Sequence, residues 1–227
     1  MNDIELVVVD DEKVVAAVVA ERLARAARIG ESVVLTGGKT PEQAYIEAAK
    51  REGDWSKVDL WWGDERCVPP DNEDSNYGLA RRALLDRIEG RPRSVHRIKG
   101  ELGKEEAAAE YADEIAGATL DLLLLGLGPD GHVASLFPNA PTLRQRKPAL
   151  PAEAGLEPFV DRVTLSLPTL RGAQEILFLL AGESKADAAA RAFASEPSPD
   201  TPASLVRARD GRTVAILDRA AAAKLPA

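Results

Sequence analysis

Short, fully apolar runs alternate with helix-forming segments along most of the chain, and this alternation constrains the fold more than any other feature. The apolar runs are rich in leucine and β-branched residues and are too short for helices, so they predict buried strands. These runs are 32–36, 58–62, 120–125, 162–167, 176–180 and 213–217. Strands that are apolar on both faces belong in parallel sheets. The sequence therefore predicts an α/β fold, a three-layer sandwich with a mainly parallel sheet covered by helices on both faces.

The segments between the strands have helical periodicity and capping residues. Predicted helices span 11–29, 40–51, 76–88, 104–115, 184–194 and 218–224. The first of them ends at Gly30, a suitable residue for the position after a helix. The second begins with Thr40 as N-cap, followed by a proline and, at the third helical position, Gln43, which predicts a capping box. Two proline-rich segments, 138–158 and 195–202, are interpreted as surface excursions, so we predict a single domain over residues 1–227.

The charge balance and the few cysteines and histidines exclude several classes of protein. Acidic residues outnumber Lys and Arg by 37 to 29, for a formal net charge of −8, so we expect no nucleic-acid partner. Cys67 is the only cysteine, which excludes an intrachain disulfide, and we expect it to be a small buried residue. Only two histidines are present, so a His-rich metal site is excluded and we expect no metal. The acidic N-terminus and the lack of a long apolar run predict a cytoplasmic protein with no membrane partner.

Two loops that follow predicted strands have the composition of an anion site. Gly37 and Gly38 let the backbone approach a ligand closely, and Lys39 and Thr40 add a charge and a hydroxyl at the start of a helix. Farther along the chain, Lys185 lies in the first turn of a predicted helix, where a lysine is unfavourable unless an anion binds there. Both loops predict contacts to a phosphate, although a tight turn before a capped helix accounts for the first loop equally well.

A third loop carries two carboxylates and an arginine directly after a buried strand. The strand ends at Trp62, and Gly63, Asp64, Glu65 and Arg66 follow it. Ligands of open α/β sheets bind beyond the carboxyl ends of the strands, which makes Asp64 and Arg66 candidate site residues. A solvated turn held by a surface ion pair would contain the same residue types.

The glycine-rich segment that immediately precedes His132 matches the G-x-G-x-x-G pattern of dinucleotide-binding folds, but its surroundings argue against a dinucleotide. Pro129 interrupts the turn, and the position expected for the ribose-binding acid falls in the stretch 146–151, which is basic and proline-rich. His132 is instead a candidate general base, because we expect a short helix to begin there and its N-terminus to keep the ring neutral. Asp130 is a candidate to orient that ring. His96, in a predicted strand, is interpreted as structural.

Together these segments resemble the 6-phosphogluconolactonase family, whose members hydrolyse a phosphorylated sugar lactone of the pentose phosphate pathway. The matching segments recur in order over most of the chain: 37–41, 62–66 with 74–78, 126–138, 182–186 and 202–206. The run 128–138 is the most specific of them. The resemblance implies a Rossmann-like sheet, which the family shares with glucosamine-6-phosphate deaminases and ribose-5-phosphate isomerases. One departure is Lys39, where relatives often carry a serine or an arginine.

The resemblance also implies a role for each candidate site residue. His132 would act as general base and activate water to attack the lactone carbonyl. Arg66 would balance the charge of the phosphate or of the developing oxyanion, and Asp64 would position Arg66 or a sugar hydroxyl. Lys185 and the loop from Gly37 to Thr40 would hold the 6-phosphate. The reaction requires no cofactor and no metal, and the expected partner is a small sugar phosphate bound by a chain that is a monomer by default.

Three other functions stay open. An amino-sugar-phosphate deaminase or isomerase would share the scaffold, but those deaminases carry a glutamate five residues after the histidine, where this chain has Phe137. A non-catalytic sugar-phosphate sensor would keep the ligand site, but only about 30 residues precede the first loop, too few for a DNA-binding head. A nicotinamide-dependent oxidoreductase is disfavoured by the surroundings of the glycine pattern.

Overall fold

A seven-stranded parallel sheet forms the middle layer of the protein. The computed structural model describes residues 4–155 and 157–226; residues 1–3, 156 and 227 lie outside the description. The strands, numbered along the chain, are β1 Ile4–Val9, β2 Ser32–Leu35, β3 Asp59–Trp62, β4 Asp64–Arg66, β5 Ser94–Val95, β6 Leu122–Leu125, β7 Ala149–Ala152, β8 Arg162–Leu165, β9 Glu175–Leu180 and β10 Arg212–Asp218. The main sheet has the order β1-β10-β9-β6-β2-β3-β5, and all its neighbours pair in parallel. The predicted α/β class is confirmed.

Helices pack against this sheet and bury their apolar faces in a shared hydrophobic core. They are α1 Glu12–Ile29, α2 Lys39–Arg51, α3 Asn76–Ala80, α4 Lys104–Ile115, α5 Leu167–Leu170 and α6 Ala186–Phe193. The first and fourth confirm their predictions. Asp11 accepts a hydrogen bond from the Val14 N–H at 3.0 Å at the start of α1, and Gly30 ends the helix with a left-handed φ of 80°. In residues 4–155 and 157–226, no helix is long and apolar enough to span a membrane.

Four helix predictions were wrong in part or in whole. The capping box at Thr40 does not form, because α2 begins at Lys39 with Gly38 as its cap, and the Thr40 hydroxyl donates to Glu12 at 3.1 Å instead. The segment 76–88 is α3 followed by one wide π-helical turn, Arg81–Leu85. Asp218 ends β10, and 219–224 form turns rather than a helix. Similarly, 184–194 is a 3₁₀ turn, Glu183–Lys185, that leads into α6.

A second, three-stranded antiparallel sheet of order β4-β8-β7 corrects the prediction of one sheet. The sequence placed 64–66 in a loop, 162–167 in the main sheet and 138–158 in a surface excursion, yet all three regions contribute a strand to this small sheet. Its register pairs Asp64 with Thr164 and Arg66 with Arg162. Local patterns missed it because strands of three or four residues are defined by their partners rather than by their own composition.

The strand β1 was also missed. It lies at the edge of the main sheet and pairs only with β10, so its side chains are not fully buried. Leu6 and Val8 are 38% and 52% exposed. The sequence did carry a strand signal, because residues 6–9 form a short apolar run rich in valine.

Two buried tyrosines complete the hydrogen bonding of the strands that lead into the candidate loops. The Tyr45 hydroxyl accepts from the Thr36 N–H at 2.9 Å and donates to the Thr36 carbonyl at 2.7 Å. The Tyr111 hydroxyl does the same for Trp62, at 2.9 and 3.0 Å. Each phenol therefore satisfies both backbone groups of one residue at the carboxyl end of β2 or β3. Burial raises the pKa of both phenols, so they stay protonated and can donate.

Replacing Tyr111 with phenylalanine should destabilise the fold. The substitution leaves a buried N–H and a buried carbonyl of Trp62 without partners, and each such group costs about 1–3 kcal/mol. We expect the urea midpoint to fall accordingly with little change in slope. Tyr77→Phe is the matched control, since among the described residues the Tyr77 hydroxyl makes no hydrogen bond. Equal midpoints for the two variants would contradict this account of Tyr111.

Candidate active site

A cleft of about 530 Å³ opens at the carboxyl edge of the main sheet. Its walls come from the loops after β2, β3, β6 and β9 and from the start of β8. All the candidate site residues except Asp130 line it, and Asp130 contacts the lining residue His132. The predicted residues that line the cleft are Gly37, Gly38, Lys39, Thr40, Asp64, Arg66, His132 and Lys185. The structure therefore brings together four chain segments that are far apart in sequence.

The loop after β2 passes close to the small helix α3. A Cβ atom added at Gly37 would lie 1.9 Å from Asn76 Oδ1, so only glycine fits there. Gly38 has a φ of 115°, a conformation that other residues rarely adopt. Lys39 is exposed and has no ion pair or hydrogen bond in the described part of the chain. The loop thus leaves a free cation and the N-terminus of α2, thirteen residues long, at one wall of the cleft.

Asp64 is held by side chains rather than by Arg66. Its Oδ2 accepts from the Ser135 hydroxyl at 2.7 Å and its Oδ1 from the Asn76 amide at 3.2 Å. The Ser135 N–H donates in turn to Thr164 on β8 at 3.1 Å. Asp64 is therefore a fixed, buried acceptor at the floor of the cleft, and the expectation that it positions Arg66 finds no contact to support it.

Glu65 points to the opposite side of β4, as strand alternation requires. It is buried and accepts hydrogen bonds from the Ser75 hydroxyl at 3.0 Å and from the N–H groups of Asn76 and Tyr77 at 2.7 and 2.8 Å. Burial raises the pKa of Glu65, and these hydrogen bonds oppose the rise. Its role is to anchor the turn that carries Asn76 into the cleft.

Two arginines face each other across β4 and β8. Arg66 and Arg162 are direct cross-strand partners, and both line the cleft. Arg162 is only 4% exposed, and its Nη2 donates to the Pro158 carbonyl at 2.9 Å. Arg66 donates to the Asp74 carbonyl. Sequence reasoning missed Arg162 as a site residue. The available signal was a charged residue at the start of an otherwise apolar strand.

His132 is oriented by Asp130. Its Nδ1 lies 2.6 Å from Asp130 Oδ1, and the same oxygen accepts from the His132 backbone N–H at 3.1 Å. A carboxylate can only accept, so in the neutral ring Nδ1 carries the proton and Nε2 carries the lone pair. Partial burial disfavours ionisation of Asp130, but the bonds to His132 outweigh it and lower the pKa of that carboxyl. No helix begins at His132, because the next residues form turns, so Asp130 rather than a helix dipole sets the tautomer.

The glycine pattern before His132 has a steric cause. A Cβ atom at Gly128 would lie 2.0 Å from His132 Nδ1, so the imidazole packs directly on the glycine backbone. Gly131 has a φ of 96° and donates its N–H to the Gly128 carbonyl at 3.0 Å. The glycines therefore accommodate the histidine of the same loop rather than a dinucleotide.

Cations from the β9 side hold the histidine loop in place. Lys185 Nζ donates to the Leu127 carbonyl at 2.7 Å, and Arg191 donates to the Pro129 carbonyl at 2.9 Å. Burial lowers the pKa of Lys185, and Asp130 opposes the change. Lys185 is half-buried and has no carboxylate within ion-pair distance in the described residues, so it keeps a charge available to an anion.

The ring of Phe137 lies beside His132, at the position where the deaminases described above carry a glutamate. The centroids of the His132 and Phe137 rings are 5.0 Å apart. Phe137 is 9% exposed and lines the cleft beside the histidine. The structure therefore places an apolar group where the deaminase pattern has a carboxylate.

Neither Cys67 nor His96 belongs to this site. Burial raises the pKa of the Cys67 thiol to about 11, which makes it a poor nucleophile. His96 stacks on Trp61 at 3.8 Å and contacts Glu114 at 2.6 Å. In the residues that the structure describes, no cluster of three or more His, Cys, Asp or Glu could hold a metal ion.

Comparisons with known proteins agree with this arrangement. Residues 10–215 match the family model described as glucosamine-6-phosphate isomerases/6-phosphogluconolactonase. A 6-phosphogluconolactonase of Streptomyces coelicolor is 40% identical, over 98% of this chain and 95% of its own length. The crystal structure of a 6-phosphogluconolactonase from Thermotoga maritima is 30% identical and superposes with a TM-score of 0.84 over 95% of this chain and all of its own. A monomeric glucosamine-6-phosphate deaminase shares the fold, with a TM-score of 0.85 at 19% identity, over 97% of this chain and all of its own. The chain belongs to the glucosamine-6-phosphate isomerase/6-phosphogluconolactonase family.

Proposed function

We propose that the protein hydrolyses 6-phospho-D-glucono-1,5-lactone to 6-phospho-D-gluconate, the lactonase step of the oxidative pentose phosphate pathway. The observation that carries the proposal is the His132–Asp130 pair, which leaves Nε2 as a base beside a cleft with several cations. Phe137 in place of a carboxylate favours a lactonase over a deaminase. The names of the curated relatives point to the same reaction.

The mechanism requires one base and a site for negative charge. His132 Nε2 takes a proton from a water molecule as the water oxygen bonds to the lactone carbonyl carbon. The carbonyl π electrons move to the oxygen and form a tetrahedral oxyanion. When this collapses, the bond from the carbonyl carbon to the ring oxygen breaks, and the imidazolium returns its proton to that oxygen. Asp130 stabilises the imidazolium throughout, and Arg66 balances the negative charge of the substrate.

The phosphate binds between the loops after β2 and β9, which flank the loop after β6. Lys185 and Lys39 supply charge, and the backbone from Gly37 to Thr40 supplies N–H groups at the start of α2. Asp64, held by Ser135 and Asn76, accepts a hydrogen bond from a sugar hydroxyl. The reaction as written uses no cofactor and no metal. The proposal includes a cytoplasmic location and a single-domain monomer whose partner is the sugar phosphate alone.

The function is tested by supplying the lactone, generated in situ, and comparing its disappearance with the uncatalysed rate. We expect acceleration in proportion to enzyme concentration and full activity in EDTA. We also expect no ammonia from glucosamine 6-phosphate, because Phe137 cannot act as a proton shuttle. No acceleration at any enzyme concentration would contradict a lactonase and favour a non-catalytic sugar-phosphate sensor, and ammonia release at a comparable rate would favour a deaminase.

Replacing His132 with asparagine should lower kcat by about 10²–10⁴-fold while KM changes little, because the amide cannot accept a proton from water. The measurement is a steady-state rate on folded protein. His96→Asn is the matched control. It removes a ring stacked on Trp61 and lowers stability, but the ring lies outside the cleft and kcat should be unchanged. A folded His132→Asn enzyme with more than about a tenth of wild-type kcat would overturn the assignment.

Replacing Asp130 with asparagine tests whether its negative charge acts on His132. The lowered pKa of Asp130 keeps it ionised across the working range, so it stabilises the imidazolium. Without that charge the imidazolium is less stabilised, so the acid limb of the pH–kcat profile should move to lower pH while the plateau falls. Asp187→Asn is the control, because Asp187 pairs with Lys224 on the surface. An acid limb that stays in place would show that Asp130 does not act on the titrating group.

A further inference from the structure

In the described part of the protein, no carboxylate forms an ion pair with either member of the cross-strand pair Arg66–Arg162. Like charges directly opposite each other in a sheet are destabilising. Neither guanidinium has a carboxylate within 4.0 Å there, and each donates only to a backbone carbonyl. The Nε of both side chains is buried and has no hydrogen-bond partner. Two buried, unsatisfied donors of the same charge on one wall of a cleft are the signature of an anion site.

The electrostatic surroundings of Arg162 also favour a bound anion. Burial lowers the pKa of Arg162, and repulsion from Arg66 lowers it further, whereas Asp64, Asp74 and Glu65 oppose the change. None of these three carboxylates forms an ion pair with either arginine. Glu65 anchors the turn of α3, Asp64 accepts from Ser135 and Asn76, and Asp74 contacts Arg66 through its backbone carbonyl. An anion placed between the two guanidinium groups would relieve the repulsion and accept hydrogen bonds from their N–H groups that face the cleft.

The position of the pair separates it from Lys185. Along the carboxyl edge of the main sheet, Lys185 follows β9, His132 follows β6, and the loop of Lys39 follows β2. Arg66 and Arg162 lie beyond β3, in the small sheet, on the far side of the histidine from Lys185. The arginine pair and Lys185 therefore lie at opposite ends of this edge, with His132 and the loop of Lys39 between them.

We propose that Arg162 and Arg66 bind the C1 oxygen of the substrate, stabilising the oxyanion in the transition state and the carboxylate of the product. The inference rests on the proposed function and deepens it. A guanidinium matches a carboxylate through two parallel N–H donors, and the product of lactone hydrolysis carries such a carboxylate. Because Arg162 is 4% exposed, its charge acts in a medium of low polarity, where it stabilises developing charge strongly. The exposed Lys39 and half-buried Lys185 suit the phosphate, which stays partly hydrated.

The test compares Arg162→Gln with Lys185→Ala. Arg162→Gln should lower kcat by about 10²–10³-fold with little change in KM, as expected for loss of one oxyanion donor. It should also weaken inhibition by gluconate, which has the carboxylate and no phosphate, by about tenfold to a hundredfold, and leave inhibition by inorganic phosphate unchanged. Lys185→Ala should show the reverse inhibitor pattern and raise KM. Arg93→Gln, on an exposed ion pair outside the cleft, is the control for loss of a guanidinium.

A structural role for Arg162 predicts different results. If it only supports the Pro158 carbonyl, Arg162→Gln lowers the melting temperature and leaves kcat of the folded enzyme within a few-fold of wild type, which would overturn the proposal. Arg162→Lys keeps the charge and loses the two-donor geometry, so we expect it to recover part of kcat. Weakened phosphate inhibition in Arg162→Gln, with gluconate inhibition unchanged, would show that the arginines hold the phosphate and would equally overturn the proposal.

Binding to the wild-type protein tests the inference without a variant and without activity. Gluconate is titrated calorimetrically in the absence and the presence of saturating inorganic phosphate. Two separate anion sites predict that gluconate still binds with similar affinity, whereas a phosphate seated on the arginines would exclude it. Exclusion would contradict the proposal. A wild-type protein that binds both probes but does not hydrolyse the lactone would refute the proposed function and leave the two-site arrangement standing.

Discussion

The antiparallel pairing of β4 with β8 is the interaction on which the site depends. It fixes Asp64, Arg66, Arg162 and Thr164 in one register, although about a hundred residues separate the two strands. Thr164 then holds the Ser135 N–H, which ties the segment after His132 to the same sheet. A one-residue shift of either strand would place the two arginines on opposite faces of the small sheet, because alternate residues of a strand face opposite sides. The chemistry therefore rests on three strands of three or four residues each.

The main sheet supports this arrangement because the backbone groups at the ends of β2 and β3 are hydrogen-bonded. Where β2 and β3 stop, the backbone would be left with unpaired groups, and the hydroxyls of Tyr45 and Tyr111 pair them. The loops beyond these strands therefore need not continue the pairing of the sheet and can adopt the conformation that lines the cleft. Glu65 has a comparable function one strand farther on, where it satisfies the amides at the start of α3. The rigidity of the cleft comes from such single side chains that each satisfy several backbone groups.

The sequence predicted what depends on local pattern. Six buried runs and two helices were found, as was the His132–Asp130 pair, because a two-residue separation in a glycine-rich loop allows direct contact. What it missed depends on partners distant in the chain. The strands β4 and β7 exist only as neighbours of β8. The Asp218 carboxylate accepts from the Ala221 N–H, as at the start of a helix, and also from the distant Gly182 N–H, but only turns follow it. Arg162 became a site residue only through its register with Arg66.

The contact between Gly128 and the imidazole has a consequence for nucleotide recognition. In dinucleotide folds the second glycine of the pattern leaves its backbone bare so that a pyrophosphate can approach. Here the ring of His132 already covers that surface, 2.0 Å from where a Cβ would stand. The loop is therefore occupied by its own side chain, and a nucleotide could bind there only if the base were displaced. The same spacing of glycines thus occurs in two incompatible kinds of site, a dinucleotide site and a histidine site. A bulky side chain packed on the second glycine indicates the histidine site.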